Sequence, residues 1–307
     1  MTQFSIIIPA YNAADTIGDT LATITAQLHT QWEAFVIDDG STDGTRQVVE
    51  CWERNDPRIR LVRNPGKGPS DARNHGALDL ATGEVLAFCD ADDLWSHTKL
   101  AEINEALADP RVDATFGQIA FFRHASNDAR TFSTVPQTPV TVEMLMAENP
   151  ICTLSNLTIR RHVFARAGGF DPQMSHNEDL EFLIRIVGSG ACVQGLDSLQ
   201  VWYRTSGGGL SSDLPAMQAS RDVALQTAKR FGYRPTRAVE AVYFRYLARR
   251  ALRLDLGKTE AARLTLRGLS LDPRAFCSPA KRGVLTAVGA CAALVLPSPM
   301  RRALFSH

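Results

Sequence analysis

Long hydrophobic runs are what this chain of 307 residues has least of. Its longest apolar stretch, residues 284–296, falls short of the roughly 20 residues that cross a bilayer. No basic segment precedes the first strand-like run, so no secretory signal is expected. No charge of either sign is in excess: 33 Lys and Arg balance 33 Asp and Glu. Without a net field, nucleic acid is not an expected partner. The six cysteines contain no C-x-x-C pair, which leaves out zinc and dithiol redox motifs. Several lie inside apolar runs and read as buried, reduced thiols of a cytoplasmic protein.

What is present is organised around residues 83–95, GEVLAFCDADDLW. The apolar run 85–89 between a glycine and a polar cluster reads as a strand buried on both faces. Asp90, Asp92 and Asp93 follow it, where open parallel sheets place their ligands. Strand-like alternation would turn Asp90 and Asp92 to one side. Two like charges that close are costly unless a cation or several donors lie between them. Carboxylate oxygens with room for water suit Mg²⁺ or Mn²⁺, commonly bridged to phosphates. A solvated acidic turn capping the next helix is the alternative reading.

The rest of the first half repeats the strand-then-helix pattern. Residues 4–8, 34–37 and 59–62 read as further buried strands. Ile17, Leu21, Ile24 and Leu28 are spaced as a helix, as are Val48, Val49 and Trp52, and a short helix is expected over 72–80. Four strands alternating with helices imply a parallel sheet. Beyond it the pattern predicts a helix over 99–107, strands over 114–123, 154–159 and 200–204, and a helix over 177–187. Residues 124–139 read as a loop. From residue 213 onward the signal is nearly all helix, with one helical hairpin over 251–273 turning at Gly257.

In order and spacing these segments resemble the family-2 glycosyltransferases of the GT-A fold, over roughly the first 205 residues. The matching stretches are SIIIPAYN (5–12), DDGSTDGT (38–45), KGPSDARNHG (67–76), GEVLAFCDADD (83–93), GGFD (168–171) and NEDLEF (177–182). The resemblance implies a Rossmann-like, mostly parallel sheet flanked by helices, here with a C-terminal all-helical extension. The domains expected are residues 1–210, catalytic, and 211–307, helical. It also implies a nucleotide-diphospho-sugar donor, a UDP-sugar for choice, and transfer to a hydroxyl with inversion.

By the same resemblance Pro9 and Tyr11 face the base, and Asp39 reads it. Arg73 contacts phosphate, whereas Lys67 is as well read as a solvated loop lysine. Asp90 meets the ribose or a metal-bound water, Asp92 ligates Mg²⁺ or Mn²⁺, and Asp93 assists or caps. Asp179 is the general base that takes the proton of the acceptor hydroxyl. The alternative for Asp179 is a first-turn acid facing a helix dipole, a part Glu178 can also play. The sequence departs from the family where Ser206 follows Tyr203-Arg204-Thr205, since a histidine is usual there. The triple glycine 207–209 then suggests a movable loop over the donor.

The expected partners are therefore the donor and a saccharide or lipid-linked acceptor. A non-catalytic nucleotide-sugar-binding subunit on the same fold is the second reading, opposed by the intact Asp92 and Asp179. A nucleotidyltransferase is the third, opposed by the lack of a Gly-rich loop after the first strand. Lys281 and Arg282 precede the apolar segment 284–296, and Arg301 and Arg302 follow it. Such a segment suits either peripheral contact with an anionic membrane or a helix packed on the protein with solvated arginines.

Overall fold

The computed structural model describes residues 2–123, 125–205 and 213–305. The four expected apolar runs form β1 (Phe4–Ala10), β2 (Trp32–Asp38), β3 (Ile59–Arg63) and β4 (Val85–Phe88). They pair in parallel in the order β3-β2-β1-β4. Every residue of β4 is buried, as a run without alternation requires. Phe4, Ile6 and Ile8 cluster with Leu21 and Ile24 of α1 (Ile17–Thr25) and Val49 of α2 (Thr45–Asn55). Close to Ile7, α3 (Gly68–Asn74) gives way to a single π-turn, His75–Leu80. Gly76 in that turn lies so near β1 that an added Cβ would stand 2.6 Å from Ile7 Cγ2.

The second half continues the sheet with β5 (Leu94–Trp95), β6 (Ala114–Phe122), β7 (Thr131–Phe132), β8 (Thr158–Arg160) and β9 (Val193–Arg204). The full order is β3-β2-β1-β4-β8-β6-β9-β5, with β7 on β6. β8 runs antiparallel to both its neighbours, while β6 and β9 are parallel. The helices here are α4 (Lys99–Ala106), α6 (Arg161–Ala167) and α7 (Glu178–Gly188); α5 (Val142–Ala147) belongs elsewhere.

The strand expected over 154–159 divides into a 3₁₀ turn, Leu154–Asn156, and β8. The reason is polar. Buried Asn156 accepts from Gly117 N (2.9 Å) and donates to Gly117 O (2.8 Å), while Ser155 Oγ accepts from Asp90 N (2.9 Å). Those side chains take up backbone groups that a ladder would otherwise pair.

The chain divides into two compact units: residues 1–140 with 150–207, and residues 141–149 with 208–307. The boundary expected at 210 missed the short segment that carries α5. The helical unit also contains α8 (Leu214–Arg230), α9 (Arg237–Arg253), α10 (Glu260–Leu271), α11 (Pro273–Phe276), α12 (Ala280–Val295) and α13 (Ser298–Phe305). Arg221 Nη2 of α8 holds α5 by donating to Met146 O at 2.9 Å. The expected hairpin is α9–α10, and Gly257 in its turn has φ +91°. Its core is Phe244, Leu247, Ala251 and Leu264, with Ala290 and Ala293 of α12.

None of the six cysteines forms a disulfide, and only Cys89 is buried; Cys51, Cys152 and Cys291 are exposed. The expectation of several buried thiols is corrected accordingly.

Candidate active site

Pro9 decides where the site begins. It lies inside β1, opposite Ile37, rather than after the strand. In the parallel ladder with β4, Cys89 N donates to Ile7 O at 3.0 Å, and the next donor due from β1 is the N–H that Pro9 lacks. The ladder ends there, and Asp90 leaves the sheet. On the other side of β1, Asp39 N donates to Ala10 O at 2.8 Å. The carboxyl ends of β2, β1 and β4 thus bring Asp39, Tyr11 and Asp90 to one edge, the place where ligands bind in such sheets.

Residues 90–93 form a turn, closed by Asp93 N donating to Asp90 O at 3.2 Å. The expected strand-like alternation therefore does not continue past β4. Long-range bonds hold the turn. Thr16, just before α1, and Thr20 of α1 donate to the carbonyls of Ala91 and Asp93, each at 2.9 Å. Arg204 donates from Nε to Asp92 O and from its backbone N to Asp93 Oδ1, each at 2.9 Å. Asp93 is fully buried, so it neither caps a helix nor meets a ligand; it anchors the end of β9. Burial, with Asp90 and Asp92 nearby, pushes its carboxyl well above the ordinary range. Burial and the charge of Asp90 likewise raise Asp92, to about 6.

The end of α3 ties this turn to α7. Arg73 Nη2 donates to Asp90 Oδ1 at 2.7 Å and Arg73 Nη1 to Glu178 Oε1 at 3.2 Å. The two terminal nitrogens of Arg73, the residue expected to contact phosphate, here bridge two carboxylates. The next residue, Asn74, accepts from Phe170 N and donates to Phe170 O, both at 2.8 Å. This fixes the Gly168-Gly169 turn. Gly169 has φ +76°, and a Cβ there would lie 2.4 Å from Asn74 Oδ1, so only glycine fits. Arg185 of α7 donates to Gly169 O at 2.9 Å from the other side. Beneath them Phe88, Phe164, Phe170 and Phe182 pack ring against ring, with centroids 4.7–5.4 Å apart.

Asp179 follows Glu178 in the first turn of α7 and is partly buried. Burial first, and then the charge of Glu178, raises its carboxyl to about 7. Glu178 is paired with Arg73, a part beyond a helix dipole. His176, just before the pair, is half-buried, with Nε2 shielded from solvent and, among the described residues, without a hydrogen-bond partner.

Asp39 accepts from Asn64 Nδ2 at 2.7 Å and from Gly68 N at 2.9 Å. It closes the loop between β3 and α3 and keeps lone pairs in reserve on both oxygens. Tyr11 beside it is 58% exposed, and Lys67 on the same loop is solvated. Asn12, with φ +49°, stitches the two neighbouring loops together: its Oδ1 accepts from Thr42 N at 2.8 Å and its backbone N donates to Ser41 Oγ at 3.0 Å. Ser206 and the triple glycine lie outside the described residues.

Among the described residues no group of three or more His, Cys, Asp or Glu side chains is placed to hold an ion by itself. The donor set does fit an ion shared with a substrate. Asp90 and Asp92 are close enough for one charge to raise the other's carboxyl, a repulsion that a divalent cation relieves. Mg²⁺ in particular is held by one or two carboxylates plus phosphates.

A family model described as glycosyl transferase family 2 matches residues 5–168, more than half of the chain. The chain belongs to glycosyl transferase family 2. The glycosyltransferase TuaG of Bacillus subtilis, assigned to teichuronic acid biosynthesis, is 29% identical over 211 residues, covering 68% of this chain and 81% of that protein. The Escherichia coli UDP-Glc:alpha-D-GlcNAc-diphosphoundecaprenol beta-1,3-glucosyltransferase WfgD is 44% identical over 97 residues, 31% of this chain and 37% of that protein. Among solved structures, S. aureus TarS 1–349 in complex with UDP-GlcNAc aligns with a TM-score of 0.58 and 19% identity, covering 95% of this chain and 81% of that one. The mannosyltransferase PcManGT from Pyrobaculum calidifontis, in complex with GDP-Man and Mn²⁺, aligns at 0.60 with 23% identity, covering 99% and 84%. These likenesses establish the GT-A fold.

Proposed function

We propose that this family-2 enzyme transfers a sugar from a UDP-sugar to a hydroxyl of a saccharide or lipid-linked acceptor, in one displacement that inverts the anomeric carbon. The observation that carries the reading is the arrangement in which Arg73 ties Asp90, at the end of β4, to Glu178, next to Asp179 in the first turn of α7; burial and Glu178 raise the Asp179 carboxyl to about 7. A base poised near neutral pH takes a proton efficiently while remaining largely ionised in slightly alkaline conditions. The acceptor oxygen attacks C1 of the sugar, the bond from C1 to the diphosphate breaks, and the hydroxyl proton passes to Asp179. Negative charge gathers on the departing nucleotide.

Pro9 and Tyr11 form the edge against which the base packs, and Asp39 accepts from it with a spare lone pair. Asp90 meets the ribose, and Asp92 with Asp90 would hold Mg²⁺ or Mn²⁺. When bound, that ion neutralises charge on the diphosphate. Arg73 acts through the position it gives Asp90. The assignment of TuaG to teichuronic acid biosynthesis and the diphosphoundecaprenol-linked acceptor of WfgD support a role in cell-surface polysaccharide synthesis; a lipid-linked acceptor would place the enzyme at the cytoplasmic face of a membrane.

A panel of nucleotide sugars, scored for release of nucleoside diphosphate with and without Mn²⁺, tests this. Metal-dependent turnover of one or two UDP-sugars is expected. Turnover of none, with nucleotide binding intact, would favour a binding subunit instead.

A further inference from the structure

Helix α12 is packed inside out by size. Its buried residues are Gly283, Thr286, Gly289, Ala290 and Ala293. Its backbone there approaches the preceding turn so closely that a Cβ on Gly283 would fall 2.3 Å from Cys277 Cα. The larger apolar residues face outward instead: Val284 is 49% exposed, Leu285 60%, Val288 59% and Val295 79%. Their spacing puts them on one stripe, with exposed Lys281 at its start. On α13, Met300 and Leu304 are 51% and 60% exposed. A helix of a water-soluble protein ordinarily turns polar residues to solvent, and a contiguous apolar face marks an interaction surface.

Charge selects the partner. From residue 273 to the end the chain has five cations, Arg274, Lys281, Arg282, Arg301 and Arg302, and no acid. The acids that reach them from elsewhere in the helical unit are outnumbered. Asp255 meets both Arg301 (2.7 Å) and Arg302 (3.0 Å), and Glu148 is shared by Arg245, Arg249 and Arg282. The expectation of solvated arginines therefore holds for Arg302, 71% exposed on its side chain, but not for Arg301, at 8%. A second copy docked about a two-fold axis would set this excess of positive charge against itself.

We propose that the outward face of α12 and α13 seats on an anionic lipid surface, with α12 lying in the interface plane. No helix among the described residues is long and apolar enough to cross a membrane. An apolar stripe beside basic residues instead suits insertion to the depth of the headgroups. The inference gives residues to the membrane location proposed above and rests on that reading only for its biological setting.

The test is co-sedimentation of the full chain with phosphatidylglycerol vesicles and with phosphatidylcholine vesicles, using the wild type and a Leu285→Ser/Val288→Ser double variant. Both residues are exposed, so the variant should keep its thermal midpoint. The wild type is expected to sediment with the anionic vesicles at low salt. Binding should weaken at least about tenfold with neutral vesicles, and about tenfold in the double variant. A wild type that stays in the supernatant, or a double variant that binds equally well, overturns the proposal. So does a wild-type dimer in analytical ultracentrifugation that the double variant dissociates. Donor turnover is measured in parallel. Its absence beside intact vesicle binding counts against sugar transfer and leaves the lipid surface standing.

Discussion

Asp179→Asn is expected to lower kcat for sugar transfer by about 10²–10⁴-fold, the usual contribution of a positioned general base. The affinity for the nucleotide sugar should stay within a factor of about two, because the substitution keeps the side chain's size and much of its hydrogen bonding. The acceptor hydroxyl is a poor nucleophile at neutral pH, and only the ionised carboxyl can relieve it of its proton. Asp179 is raised to about 7 by burial and by Glu178, so wild-type kcat should fall about tenfold per pH unit below 7. The Asn variant should lose that acid limb. Steady-state kinetics from pH 5.5 to 9 checks both claims. If Glu178→Gln abolishes transfer and Asp179→Asn does not, the roles within the pair are reversed; if neither slows it, neither residue is the base.

Arg73→Ala is expected to lower both stability and turnover. Its guanidinium is the shared partner of Asp90 and Glu178, and its own side chain is only 7% exposed. Removing one partner from a largely buried ion pair leaves uncompensated charge, here in two carboxylates at once. A loss of about 2–4 kcal/mol follows, read as a lower thermal midpoint. Arg73 also lowers the Asp179 carboxyl from the value burial alone would give. Without it the acid limb of the rate profile should move above pH 7, a shift that a purely structural role would not produce. Arg73→Lys should restore little, because one ammonium cannot reproduce the planar fork that spans two carboxylates. An Arg73→Ala enzyme with wild-type melting and an unmoved pH profile contradicts this account.

The sequence and the structure agree best where the physics is local. The apolar runs of β1, β2 and β4 have no partner but a buried sheet, and their polar ends mark the ligand edge without reference to distant residues. Asp39, Asp90 and Asp92 are visible for that reason, and the family resemblance adds Asp179. What was hidden is non-local. Nothing in the sequence around Thr16, Thr20 or Arg204 tells that they hold the Asp90–Asp93 turn across 75, 73 and 112 positions. Asn74 reaches Phe170 over 96 positions, and Arg73 reaches Glu178 over 105. Asp93 looks like its neighbours in sequence, and only burial separates its part from theirs. The elements β5, α5 and α6 are too short to show a period. For α12 the apolar composition announced a helix, but both its faces are apolar, so only packing reveals which one is left outside.

The central claim is that Asp90 and Asp92 hold a divalent cation together with the diphosphate of a uridine nucleotide. Calorimetric titration of UDP tests it most directly, on the wild type and on Asp92→Asn, each with Mn²⁺ and with EDTA. The account predicts tight binding only for the wild type with Mn²⁺, weakened at least about tenfold by either EDTA or the substitution. Affinity for UDP that is the same in all four titrations would contradict it.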